Sequence, residues 1–117
     1  MGNYAESSGA KIYFQMRGQG DPLVLIMGFG AEGNVWEKHV VEYEKYFNCI
    51  LIDNRGVGLS DQPIGPYTTN MMADDTIAVM DHLGIEKARV AGISMGGAIT
   101  QQLALNYANR VRSMALI

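Results

Sequence analysis

Apolar and polar positions along this chain follow two rhythms, short runs with a period of two or none and longer stretches with a period near 3.6. Asn3 to Glu6 and Lys11 to Met16 read as two short strands, joined as a hairpin across Ser7-Ser8-Gly9-Ala10. Gly18-Gln19-Gly20-Asp21-Pro22 is a turn, and Leu23 to Met27 is a continuous apolar run, which predicts a strand buried on both faces. Trp36, Val40, Tyr43 and Phe47 form one stripe of an amphipathic helix, with Asn34 as its N-cap. Cys49 to Ile52 is the next buried strand, and Pro63 to Thr69 a loop. Met71 to Leu83 reads as a helix with Met72, Val79 and Leu83 on one face and Gly84 at the C-terminal cap. Ala88 to Ile93 is a strand, Met95 to Tyr107 a helix carrying Ile99, Leu103 and Tyr107, and Ser113 to Ile117 one more apolar strand. Strands alternating with helices imply right-handed crossovers. The expected fold class is therefore α/β, a mostly parallel sheet with flanking helices in one domain over 1–117.

Composition narrows the partners. The chain has 117 residues, 48% hydrophobic and 18% charged, a globular balance with no disorder signature. A net charge of −3 argues against nucleic acid or an anionic membrane as a partner. The single cysteine, Cys49, excludes an internal disulfide and a cysteine-based zinc cage, and suits a reducing cytoplasm. No apolar run is long enough to span a bilayer, and Met1 to Glu6 lacks the regions of a signal peptide and of a myristoylation signal. The expectation is a soluble cytoplasmic protein.

The candidate chemistry centres on Gly92-Ile93-Ser94-Met95-Gly96, a G-x-S-x-G stretch between an apolar run and a helix. Such a nucleophile elbow turns so sharply that only glycine fits two residues either side of the serine, and Gly97 reads as a further small residue letting the helix pack close. Ser94 is the candidate nucleophile. A serine attacking a carbonyl needs two preorganised N–H donors where negative charge develops. The backbone N–H groups of Met95 and of Phe29, in Met27-Gly28-Phe29-Gly30, suit that role. Gly28-Phe29-Gly30-Ala31-Glu32-Gly33 also spells G-x-G-x-x-G, with Asp53 twenty residues beyond Gly33, so a Rossmann-type dinucleotide module is a competing reading. Against it, the helix starts only after the third glycine, too late to aim its N-terminus at a pyrophosphate. Asp53 to Asp61 is a glycine-punctuated polar loop in which Arg55 suits a structural role. His39 and His82 read as solvated residues on helix faces, away from the elbow.

The order of Met27-Gly28-Phe29-Gly30, Asp53-Asn54-Arg55-Gly56-Val57-Gly58-Leu59-Ser60-Asp61 and Gly92-Ile93-Ser94-Met95-Gly96-Gly97 resembles the α/β-hydrolase superfamily, most of all its esterase, lactonase and C–C-bond hydrolase members. The resemblance implies a serine nucleophile at Ser94, oxyanion N–H groups at Phe29 and Met95, a structural turn at 53–61, a small-molecule acyl substrate and no metal or organic cofactor. It covers only the first half of the family's domain, through about the sixth strand. The family's acid and histidine follow the elbow, whereas Met95 to Ile117 contains no Asp, Glu or His. A truncated α/β-hydrolase domain with little or no activity is therefore expected. A non-catalytic fragment is the alternative, self-associating as a homo-oligomer through the exposed last strand or an uncovered sheet face.

Overall fold

A computed structural model describes residues 3–28 and 36–117. The chain opens with β1 (Tyr4–Ser7) and β2 (Ala10–Arg17), a hairpin in which Ser7 pairs with Ala10. Ser8 and Gly9 form its tip with φ of 48° and 83°, the left-handed pair that a two-residue turn needs to match strand twist. Next come β3 (Asp21–Ile26), α1 (Glu37–Tyr43), β4 (Phe47–Ile52), α2 (Thr69–His82), β5 (Ala88–Gly92), α3 (Met95–Asn106) and β6 (Val111–Leu116).

The six strands form one sheet in the order β1-β2-β4-β3-β5-β6. β1, β2 and β4 pair antiparallel, while β4, β3, β5 and β6 run parallel. Period-two geometry divides each central strand between two cores. Val24, Ile26, Ile50, Ile52 and Val90 face α2 and α3, packing with Met72, Val79, Ile99 and Leu103. Leu25, Cys49 and Leu51 face α1, against Trp36 and Val40. The parallel, mixed α/β architecture expected from the sequence is the one found. Beyond β6 no further strand pairs among the described residues, and Met114, Leu116 and Ile117 are exposed. No helix among the described residues is long and apolar enough to cross a membrane.

Several boundaries differ from those expected. α1 ends at Tyr43, and Phe47 belongs to β4, paired with Asp21. Phe47 still packs into the same apolar cluster as Trp36 and Val40, so burial imitates a helical stripe across a change of element. Asn34 lies outside the described residues, and the position preceding α1 is Trp36, which makes no side-chain cap. α2 starts two residues early because Thr68 Oγ1 accepts the Met71 N–H at 3.0 Å. Its end is as expected: Gly84 has φ 71°, and the N–H groups of Gly84 and Ile85 reach back to the carbonyls of Asp81 and Met80. That pair of bonds closes the helix in a Schellman motif.

Candidate active site

Parallel strands place their C-terminal ends together, and three loops meet there: the one leaving β3 at Met27, the one leaving β4 at Asp53 and the elbow between β5 and α3. Ser94 sits at the elbow, exposed, with φ 58° and ψ −118°. A non-glycine residue rarely adopts that conformation, and holding it costs about 1–3 kcal/mol. The surroundings enforce it. A methyl group at Gly92 would lie 2.1 Å from the Gly96 carbonyl oxygen, and one at Gly96 would lie 2.2 Å from the Ile26 carbonyl oxygen. Helix α3 therefore rests on strand backbone with no side chain between. The expectation for Gly97 is corrected: a methyl there would meet nothing nearer than 3.7 Å, so Gly92 and Gly96 alone set the close approach.

Backbone bonds hold the serine in place. Ser94 N–H donates to the Ile117 carbonyl at 3.1 Å, and the Ser94 carbonyl accepts the Gly97 N–H at 2.9 Å. Met95 opens α3, so its N–H lies outside the helical hydrogen-bond ladder and at the positive end of the helix dipole. Gly28 approaches from the β3 loop, where an added methyl would lie 3.0 Å from Ser94 Cβ. Phe29, the second expected donor, lies outside the described residues, as do Gly30 and Gly33. The β3 loop is tied at its root, since buried Asn54 donates from Nδ2 to the Met27 carbonyl at 3.2 Å.

The loop from Asp53 to Asp61 is a scaffold. Asp53 Oδ2 accepts the Leu59 N–H, and Ser60 Oγ accepts the Tyr13 N–H while donating to the Asp53 carbonyl. Asp61 exchanges backbone and side-chain bonds with Lys11 of β2. Arg55 is buried and paired two-to-two with Asp75 of α2, Nε to Oδ2 at 2.6 Å and Nη2 to Oδ1 at 2.8 Å. The Asp75 hydrogen bond holds the guanidinium above its ordinary pKa, against the effect of burial. The structural role expected for Arg55 is thus found, whereas Asn54 and Asp75 are contributions the sequence reading missed. Asp75 had a signal: a carboxylate three residues after Met72, on the face of α2 that meets the core.

His82 ends α2, about 15 Å along the helix axis from Met72, which lies at the site end. Its ring packs edge-on against Phe14. His39 is exposed on α1, between Trp36 and Tyr43. Both stand on helix faces as expected. The dinucleotide reading is overturned: α1 begins at Glu37, well after Gly33, Asp53 is engaged within its own loop, and the family matched is a different one.

The family profile described as the alpha/beta hydrolase fold matches residues 21–117. RutD of Azorhizobium caulinodans is 36% identical over 114 residues, covering 97% of this chain and 43% of RutD. 3-Oxoadipate enol-lactonase 2 of Acinetobacter baylyi is 37% identical over 95 residues, 80% of this chain and 36% of that protein. Among solved structures, Est816, described as an N-acyl homoserine lactone degrading enzyme, superposes with a TM-score of 0.94 at 35% identity, over 97% of this chain and 44% of its own. The enol-lactonase of Burkholderia xenovorans LB400 gives 0.91 at 31% identity, over 95% and 44%. The chain thus spans less than half the length of these relatives, and over that span it belongs to the alpha/beta hydrolase family.

Proposed function

We propose that this chain carries the nucleophile half of a serine hydrolase acting on esters, lactones or related acyl compounds. Ser94 Oγ attacks the substrate carbonyl, its proton passes to a base, and the alcohol leaves with a proton as the acyl-enzyme forms. The N–H groups of Met95 and Phe29 hold the oxyanion. The observation that carries the reading is the enforced left-handed Ser94 at an exposed elbow, with Gly28 beside its Cβ. The enol-lactonase and lactone-degrading relatives support the acyl substrate class. Residues 95–117 supply no acid or histidine, so slow turnover by these 117 residues alone is part of the reading. The cytoplasm is the proposed location, supported by the lone buried cysteine.

The test supplies the missing base from outside. The chain is incubated with p-nitrophenyl acetate in graded imidazole, and acetylation of Ser94 is followed by mass spectrometry in wild type and Ser94→Ala. Imidazole-dependent acetylation confined to Ser94 is the expected result. Acetyl groups spread over lysines, unchanged by Ser94→Ala, would remove the assignment. The exposed edge of β6 favours a second reading, in which two copies of this chain pair along that strand. Light scattering showing a monomer at micromolar concentration would exclude it.

A further inference from the structure

At the opposite end of the sheet from the elbow, where β3, β5 and β6 begin, lies a recess of about 130 Å³ lined by Asp21, Pro22, Lys87, Ala88, Arg89 and Arg112. Arg89 stands near the start of β5 and Ser94 just past its end, roughly 15 Å apart along extended chain. Three cationic side chains share the recess with one carboxylate. It therefore carries a surplus of two positive charges in a chain whose net charge is −3. Asp21 serves both guanidiniums through a single oxygen: Oδ2 accepts Arg89 Nη1 at 3.2 Å and stands 3.6 Å from Arg112 Nη1. Neither contact is the two-bond fork that joins Arg55 to Asp75, so both arginines keep donors to spare. Lys87 forms no ion pair among the described residues. Two features orient these groups. Ala88 pairs with Val111 but Arg89 with Ser113, which leaves Arg112 as the extra residue of a bulge and turns it out of the regular alternation of β6. The Arg89 guanidinium lies over the Phe47 ring, 5.6 Å from its centre, so its orientation is set before any ligand arrives.

From this arrangement we infer that the recess is a binding site for a dianionic phosphate group, as the free ion or on a small phosphomonoester. Such a group brings close to two negative charges at neutral pH and three acceptor oxygens, which match the surplus charge and the unused N–H donors. A recess of this size has room for about four waters, which a tetrahedral oxyanion can replace. A single carboxylate would offset only half of the surplus. A nucleic acid or an anionic bilayer would have to approach the acidic remainder of the chain as well. The site is remote from Ser94 and does not rest on the reading of that residue as nucleophile.

The test is a titration of the ¹⁵N-labelled chain, at neutral pH and fixed ionic strength, with inorganic phosphate, glycerol 3-phosphate and acetate. The backbone signals of Lys87, Ala88, Arg89 and Arg112 are expected to shift saturably while those of Ser94 and Met95 stay in place. Acetate should bind about tenfold more weakly than the better phosphate ligand. Lys87→Ala and Arg112→Ala should each weaken phosphate binding by about three- to tenfold. Asp21→Asn should tighten it by about threefold or more, because it removes the competing carboxylate and frees donors on both arginines. All three substituted side chains are exposed, so the variants keep the fold. Tighter binding of glycerol 3-phosphate than of inorganic phosphate assigns the site to a phosphomonoester, and the reverse order to the free ion. Ser94→Ala leaves the titration unchanged, so a failed nucleophile assignment shows in the acetylation assay alone. Acetate binding as tightly as phosphate, or Asp21→Asn weakening binding as the Lys87 and Arg112 variants do, would overturn the inference. So would sedimentation with phosphatidic acid vesicles in the absence of saturable binding of either soluble phosphate.

Discussion

Replacing Asp75 by Asn removes one charge and almost no volume, which isolates what the buried Arg55–Asp75 pair does. Both side chains are nearly inaccessible, at 5% and 2% exposure, and the two bonds run at 2.6 and 2.8 Å. The variant leaves a guanidinium with no countercharge inside the protein, a situation that costs about 3–5 kcal/mol. The unfolding entropy of a chain this size is of order 0.25 kcal/mol per degree, so the melting temperature should fall by about 12–20 °C. Replacing both partners, Arg55→Met with Asp75→Leu, removes the uncompensated charge and should recover most of that loss. Thermal unfolding followed by circular dichroism measures Asp75→Asn, the single variants Arg55→Met and Asp75→Leu, and the double variant. A drop of under about 4 °C for Asp75→Asn, or single-variant losses that simply add in the double variant, would refute the reasoning.

Other substitutions probe the elbow and the second core. Gly92→Ala should cost about 3 kcal/mol or more and abolish Ser94 acetylation, because the new methyl would meet Gly96 backbone, whereas Gly97→Ala should leave both within error. Ser94→Gly should be more stable than Ser94→Ala by about 1–3 kcal/mol in thermal unfolding, since glycine accepts the conformation that alanine must be forced into. Burial, aided by the Glu44 charge, pushes the Cys49 thiol up to about 11 from 9.0. Unfolded chains ionise first, so this contribution is intact below pH 9 and is lost as pH rises to about 11. The loss amounts to about 2–3 kcal/mol, and urea titrations at pH 8 and 11 should show Cys49→Ala lacking that part of the decline.

Period and punctuation made much of this fold legible. The hairpin tip at Ser8-Gly9, the helix stop at Gly84 and the glycines flanking Ser94 are positions where backbone geometry admits few residue types, so residue identity reports conformation directly. Phe47 shows the limit: a buried aromatic fits a helical stripe whether or not the helix reaches it, and only the pairing with Asp21 decides. Gly92 and Gly97 look alike in sequence, yet one touches backbone and the other has room, a distinction set by how the helix lies on the sheet. Asn54 and Asp75 escaped notice because their partners, the Met27 carbonyl and Arg55, lie 27 and 20 positions away. The place of Asp75 on the core-facing side of α2 signals burial, but nothing local names its partner.

The strand order carries a consequence for how the molecule is assembled. β1, β2, β4 and β3 are contiguous in the sheet, and all four lie before residue 53, so they can pair with one another before β5 has been synthesised. β5 then joins the free edge of β3, where Arg89 meets Asp21 across 68 positions of sequence. Contacts that distant close late, since the intervening loop must be ordered first. The elbow that carries Ser94, the proposed nucleophile, is thus formed on a platform that already exists, and an unfinished chain presents a sheet before it presents that elbow.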